Sequence, residues 1–597
     1  MEALFRWTNM IYLCAASAAA LMPNPLAHAV PVADLILYNA KVWTVDAAKP
    51  EAQAVAVQKD RIIFVGSDSQ VMAFKDSRTQ LIDLHGAMLL PGFNDGHTHF
   101  ENAVEWFFKV QLPDVGNQAE MLKQIQITAA RVPGDLWITG GGDWEAHAGR
   151  AAEKRGDTSF KPFAPNLGAV DAVSNGHPLL FRRYDRVYFA NSEALRRARI
   201  TETTPEPGGG RYGRDPQTHK LNGLLYGTAG EAMEKIVPPL SEAQKMIGAR
   251  AVIDEFNAVG ITSIQDISRI DAVWQKHIFP TDSERSYSDA TIFFGLQKEG
   301  DLHVRVYPQL PLTTWADLAG VGIRPGSGDA MIHFGSLKDF ADGSYMFAPF
   351  ANRPSYSGNW AYRFVGEDVI RQNIEDADRA GYDVGVHVIG DKALHELLDW
   401  YENAIQKNGP RDRRFRIIHV EFATLADLQR AGRLHMIADI TPNLLLSATS
   451  SISAKLGPER EKTAFAWRTM IESGVKLDIV SDLPGLYSHE DVSPYAPLEN
   501  IYYAVTRIPV GGGAPWHPEQ ALTVREAIEA YTANPAFASH DEANKGTITE
   551  GKLADMVVLS QDILHLASPE QIRSTKVMTT ILGGKIVYQS AKNQANP

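Results

Sequence analysis

Seven short apolar runs recur between residues 261 and 480, with helix-like stretches between them. The runs cover 261–267, 303–310, 331–340, 383–389, 415–420, 435–441 and 475–480. The helical segments cover 241–259, 367–380, 393–408, 425–431 and 462–473. Parallel strands need crossover connections, and a long strand–helix series closes into a barrel. One more apolar run, 87–90, is broken by Pro91-Gly92 and leads to His97, which makes eight strands. The expected class is α/β, a (β/α)8 TIM-type barrel over 89–547.

The ends read differently. Short β-type runs at 35–45, 54–57, 61–65 and 80–84 precede any helical pattern. At the far end, 552–559, 577–582 and 585–588 repeat the style, with Gly583-Gly584 as a hairpin turn. A β-sandwich built from both termini, 30–88 and 548–597, is expected. The stretch from Phe100 to Ser241 is too long for one crossover, so an inserted subdomain is expected at about 110–235.

Composition narrows the chemistry. The chain is 44% hydrophobic and carries a net charge of −13, without basic clusters. That argues against nucleic acid and against anionic membrane surfaces as partners. Residues 1–29 read as a signal peptide: Arg6, an apolar run at 10–22, then Ala27-His28-Ala29. The mature protein is therefore expected to be periplasmic or secreted, with no membrane attachment. Its one cysteine, Cys14, leaves with the signal. Any metal must then be held by histidine, carboxylate or lysine.

Active sites of barrels lie at the C-terminal ends of strands. Residues i and i+2 of an extended chain share a face, so His97 and His99 can offer two imidazoles to one ion. Taken alone, H-x-H is also a common polar pair on a loop. Lys338 lies on the fourth strand, His387 ends the fifth and His419 ends the sixth; Asp482 follows the eighth. Singly, the lysine reads as a salt bridge and each histidine as a core residue. Jointly, each arrives where a barrel metal site needs a ligand.

Three motifs carry a family resemblance. P-G-F-x-D-x-H-x-H (from Pro91 to His99) resembles the first metal motif of the amidohydrolase superfamily. K-x-F-x-D-G-S from Lys338 and H-x-I-G-D from His387 resemble its YtcJ-like, N-substituted formamide deformylase-like branch. Gly551 to Leu559 resembles the usual closing strand. The resemblance implies six ligands: His97, His99, Lys338, His387, His419 and Asp482. It implies that Lys338 is carbamylated and bridges two divalent ions, Zn2+ in the first instance; Mn2+, Fe2+ and Co2+ are chemically allowed. Asp482 and His419 are the catalytic pair, with Asp482 as base and then acid. The reaction implied is hydrolysis of a C–N bond, an amide or N-acyl linkage, in a small molecule. Arg186 stands where family members carry histidine; it pairs either with a substrate carboxylate or with an acid such as Asp185. Trp144, Asp342 and Tyr345 are further candidates for substrate contact, with Phe347 and Trp360 as apolar lining. Rival readings are a mononuclear deaminase without need of Lys338, an esterase or lactonase, and a non-catalytic binding protein. A homo-oligomer is left open.

Overall fold

The computed structural model describes residues 31–590 except 113–114, 141–143, 145–162, 184–185, 268–287, 343–366, 444–457, 459–460, 484–494 and 510–512. The signal segment up to residue 30, Tyr345, Phe347 and Trp360 lie outside the described residues.

Eight parallel strands form one sheet: β1 Phe93–Thr98, β2 Ile261–Ile267, β3 Arg305–Pro311, β4 Ser336–Phe340, β5 Asp383–Val388, β6 Arg416–His419, β7 Ile437–Ile440 and β8 Lys476–Ile479. Neighbours in sequence are neighbours in the sheet. All eight are almost wholly buried, as strands covered on both faces must be. The covering helices present apolar stripes at helical spacing. In Glu367–Arg379 the buried set includes Ile370, Ile374 and Ala377; in Asp391–Asn408 it includes Leu394, Leu397, Leu398 and Tyr401. A capping box of Ser241 and Gln244 starts Glu242–Ala258. The expected helix over 462–473 is shorter, Trp467–Glu472, with a separate single turn at Glu461–Thr463.

The barrel closes at a seam between β1 and β8. At the top, the Asp482 N–H donates to the His97 carbonyl at 3.0 Å and the His99 N–H to the Leu483 carbonyl at 2.8 Å. Lower down, residues 531–534 fill the gap. The Asn94 N–H donates to the Tyr531 carbonyl at 2.8 Å, and Asn534 Nδ2 donates to the Leu477 carbonyl at 2.8 Å.

One expectation is corrected here. The apolar run before Pro91-Gly92 is not the first barrel strand. Met88–Pro91 belongs to a six-stranded sheet with strands from both termini, pairing antiparallel with Met556–Leu559. The chain then turns, and the strand that carries His97 is Phe93–Thr98. Face alternation explains the assignment. Met88, Leu90, Val557 and Leu559 pack on the barrel core, while Leu89, Met556 and Val558 pack on Leu35, Leu37, Val55 and Val57 of a second, four-stranded sheet. The two sheets form the terminal sandwich. Gly583 and Gly584, with φ of 53° and 75°, make the hairpin between Val577–Leu582 and Lys585–Gln589.

The insertion after β1 holds a four-stranded antiparallel sheet in the order Leu180–Arg182, Val187–Ala190, Leu221–Gly227, Gly210–Arg214. It has its own apolar cores. Among the described residues, no helix is long and apolar enough to cross a membrane.

Candidate metal centre

Five of the six expected ligands gather at the top of the barrel by direct contacts of their own. His97 Nε2 and His99 Nε2 lie 3.3 Å apart, and each is 3.2 Å from Asp482 Oδ1. The His419 ring centre is 5.4 Å from that of His97 and 4.7 Å from that of His387. His97, His419 and Asp482 each offer a ligand atom within 4.8 Å of the others. Lys338 is the sixth. Its ammonium is buried, 4.4 Å from the centre of the Phe340 ring, and among the described residues it forms no ion pair.

Electrostatics prepare these groups. Burial, reinforced by the Lys338 charge, holds the His97 imidazole well below its ordinary value. Burial does the same to His419, helped by His387. Burial opposes ionisation of Asp482, but the imidazoles of His97, His99 and His419 outweigh it and keep that carboxyl well below the usual range. Near neutral pH His97 and His419 are therefore neutral beside the Asp482 carboxylate, the protonation state that metal ligands require. Burial also brings Lys338 down to about 8, so its neutral amine, the form that adds CO2, is accessible.

The donor set fits a cation. Asp482 Oδ1 is buried and accepts no hydrogen bond, although two imidazole nitrogens lie 3.2 Å away. With His97 neutral, lone pairs converge there. Ligands on one tetrahedral ion with bonds of about 2.0–2.1 Å lie about 3.3–3.4 Å apart, and the triangle of 3.2, 3.2 and 3.3 Å comes close to that spacing.

Buried groups that sequence reasoning did not single out hold the ligands in place. Asp95 Oδ1 accepts the N–H of His97 at 3.2 Å and of Ser481 at 3.0 Å, so one carboxylate spans the seam. Asp266 Oδ1 accepts the Phe100 N–H at 2.7 Å and the Thr98 hydroxyl at 3.3 Å, on either side of His99. His419 Nδ1 engages the Thr441 hydroxyl at 3.1 Å, which leaves Nε2 for the cluster. Asp95 was within reach of the sequence, inside the same motif as His97; Asp266 and Thr441 carried no local signal. Backbone strain gathers at the same place. His419, Val420 and Asp482 have φ of 74°, 43° and 55°, a region that non-glycine residues seldom enter and that clusters at functional sites.

The candidates for substrate contact fare differently. Asp342 is buried, and its two oxygens accept the N–H groups of Ile389 at 2.8 Å and Gly390 at 2.7 Å. Its Oδ1 lies 3.8 Å from His387 Nε2. It fixes the turn after His387 rather than presenting a free carboxylate to substrate. Trp144 is 2% exposed, sits in a core of the insertion and donates its indole N–H to the Phe163 carbonyl at 3.2 Å. Arg186 is exposed and donates from Nε to Glu231 at 2.8 Å within the insertion sheet. Its partner among the described residues is an acid, Glu231; Asp185 lies outside the described residues.

The amidohydrolase family profile matches residues 80–588. The chain belongs to the amidohydrolase family. It is a metal-dependent hydrolase of that family with an eight-stranded barrel. It is 28% identical to the amidohydrolase YtcJ of Bacillus subtilis over 93% of this chain and 99% of that one. It is likewise 28% identical to an N-substituted formamide deformylase of Arthrobacter pascens, over 93% of this chain and 98% of that one. Among solved structures, an uncharacterized metal-dependent hydrolase from Pyrococcus furiosus superposes with a TM-score of 0.64 at 21% identity, covering 89% of this chain and all of that one.

Proposed function

We propose that this amidohydrolase cleaves an amide or N-acyl C–N bond in a small molecule, with two divalent ions, Zn2+ in the first instance, held by His97, His99, Lys338, His387, His419 and Asp482. The observation that carries the reading is the orphaned Asp482 Oδ1 between two imidazole nitrogens. The buried Lys338, which forms no ion pair among the described residues, supports the second ion, because carbamylation would turn a costly ammonium into a carboxylate that could hold metal. The deformylase relative supports the choice of a C–N bond.

Bound divalent ions supply Lewis-acid chemistry: they acidify water and polarise an acyl oxygen. The chain's own residues do the rest. Asp482 takes a proton from the attacking water as the C–O bond forms. It then passes that proton to the leaving nitrogen as the C–N bond breaks. Asp95 and the Asp482 N–H hold the base against His97, so the proton travels a short, fixed path. The same arrangement would cleave an ester, so the substrate panel must include one. The proposal extends to export, with cleavage after Ala29 and a periplasmic or secreted mature protein.

The test uses mature protein stripped of metal, then restored with Zn2+ in bicarbonate. It is assayed on N-substituted formamides, N-acyl amino acids and matched esters. Metal-dependent turnover of an amide and close to two ions per chain are expected. Turnover of esters alone would refute the C–N reading. One ion per chain, unchanged in Lys338→Ala, would replace the two-ion site with a mononuclear one. Sequencing the N-terminus of protein from its native host checks export; an intact Met1 refutes it.

A further inference from the structure

Directly beneath the ligands, the barrel interior carries charge. Arg416 at the start of β6 is fully buried and reaches four other strands. Its Nε donates to both carboxylate oxygens of Asp439 on β7, at 2.9 and 3.0 Å. Nη1 donates to Gln265 on β2. Nη2 donates twice: to Asp478 Oδ2 on β8 at 2.9 Å and to the Gly96 carbonyl on β1 at 2.9 Å.

Those last two partners flank the seam. Gly96 immediately precedes His97, and Asp478 lies four residues before Asp482. His97 and Asp482 thus stand on opposite lips of a joint that lacks a continuous strand ladder. Their 3.2 Å spacing depends on whatever ties the lips together. Above the guanidinium, the ties are the Asp482 N–H to His97 carbonyl bond and the Asp95 bridge. At its level the tie is Nη2. A guanidinium presents its donors in a rigid plane; an ammonium does not. The fit is close enough that Gly96 has no room for a side chain, since a Cβ there would meet the Asp478 carboxylate.

We infer that Arg416 is a positioning residue that clamps the barrel seam and thereby sets the spacing of His97 and Asp482 for metal. The inference rests on the metal-site reading above. It differs from a general role in core stability, because it predicts an effect on the metal site that other losses of comparable size in the core do not share.

The experiment titrates metal-free full-length mature protein with Co2+ alone and follows the visible absorption of the bound ion. Arg416→Lys keeps a positive charge for Asp439 and Asp478 but loses the fork. Tyr401→Phe removes a buried hydroxyl that bonds the Val384 and Arg416 carbonyls on β5 and β6, away from the seam. Arg416→Lys should weaken Co2+ binding by about 10- to 100-fold, the usual effect of losing a group that orients ligands, and shift the absorption envelope. Tyr401→Phe should leave both as in the wild type. If Arg416→Lys does not fold, Asp478→Asn carries the same expectation from the other side of the clamp. Wild-type affinity and spectrum in the folded clamp variant would overturn the inference, as would an equal loss in Tyr401→Phe. Failure of the wild type to bind Co2+ would instead overturn the metal-site reading, and this inference with it.

Discussion

Gly96→Ala adds a single methyl group to the barrel, and the structure says where it goes. A Cβ at residue 96 would lie 2.7 Å from Asp478 Cγ and 2.8 Å from Asp478 Oδ1. The carboxylate has no easy retreat, because Asp478 Oδ2 is held by Arg416 Nη2 at 2.9 Å and the pair is fully buried. Overpacking by a methyl group typically costs about 1–3 kcal/mol. Pushing the carboxylate off its partner exposes the larger penalty of a broken buried pair, about 3–5 kcal/mol. Both acting together put the substitution at roughly 4 kcal/mol or more, a large part of the roughly 5–15 kcal/mol that holds a typical domain folded. Gly168→Ala is the control. It lies in the helix Leu167–Val173, where the nearest atom to a new Cβ is 3.7 Å away, and alanine there should be neutral or stabilising by about 0.5–1 kcal/mol. The assay is urea unfolding of both variants without metal, compared by midpoint because several folded units contribute. Gly96→Ala should unfold at much lower urea than the wild type and lose Co2+ binding. A midpoint matching Gly168→Ala, with metal binding intact, would show that the Asp478 carboxylate does not sit beneath Gly96, and the reading of the charged layer would fail.

Asp482→Asn keeps the shape of the site but cannot accept the proton; kcat should fall by about 10^2 to 10^4, with only a modest loss of metal, whereas His97→Ala should lose both. Equal turnover in Asp482→Asn and the wild type would reduce Asp482 to a structural residue. Lys338 is lowered from 10.5 to about 8, so between those pH values the unfolded chain binds the proton more fully than the folded one. Stability of metal-free protein in CO2-free buffer should therefore rise across that window, by roughly 3 kcal/mol in total. Lys338→Met should abolish the rise, and an unchanged slope in thermal midpoints against pH would contradict the burial argument. Arg186→Ala and Glu231→Gln should be equally mild, within about 1 kcal/mol, because the pair is exposed; a loss of kcat/KM beyond ten-fold in Arg186→Ala alone would restore Arg186 as a substrate contact.

Local pattern carried much of this protein. Apolar runs at strand length and stripes at helical spacing are properties of consecutive residues, so the barrel class and its strand order were legible in the chain itself. Because barrel chemistry gathers at the C-terminal ends of strands, His97, Lys338, His387, His419 and Asp482 could be picked out once the strands were found. Tertiary structure decided what depends on distant partners. Whether 87–90 opened the barrel or joined the sandwich turned on which core each face met, and an apolar run buried on both faces does not say. Asp342 looked free for substrate until the fold brought the Ile389 and Gly390 amides to it, 47 and 48 residues away. Arg186 found its acid in Glu231, 45 residues on. The seam clamp is the extreme case: Arg416 reaches Gly96 across 320 residues, and no periodicity could have announced it, because the bond exists only once the barrel has closed.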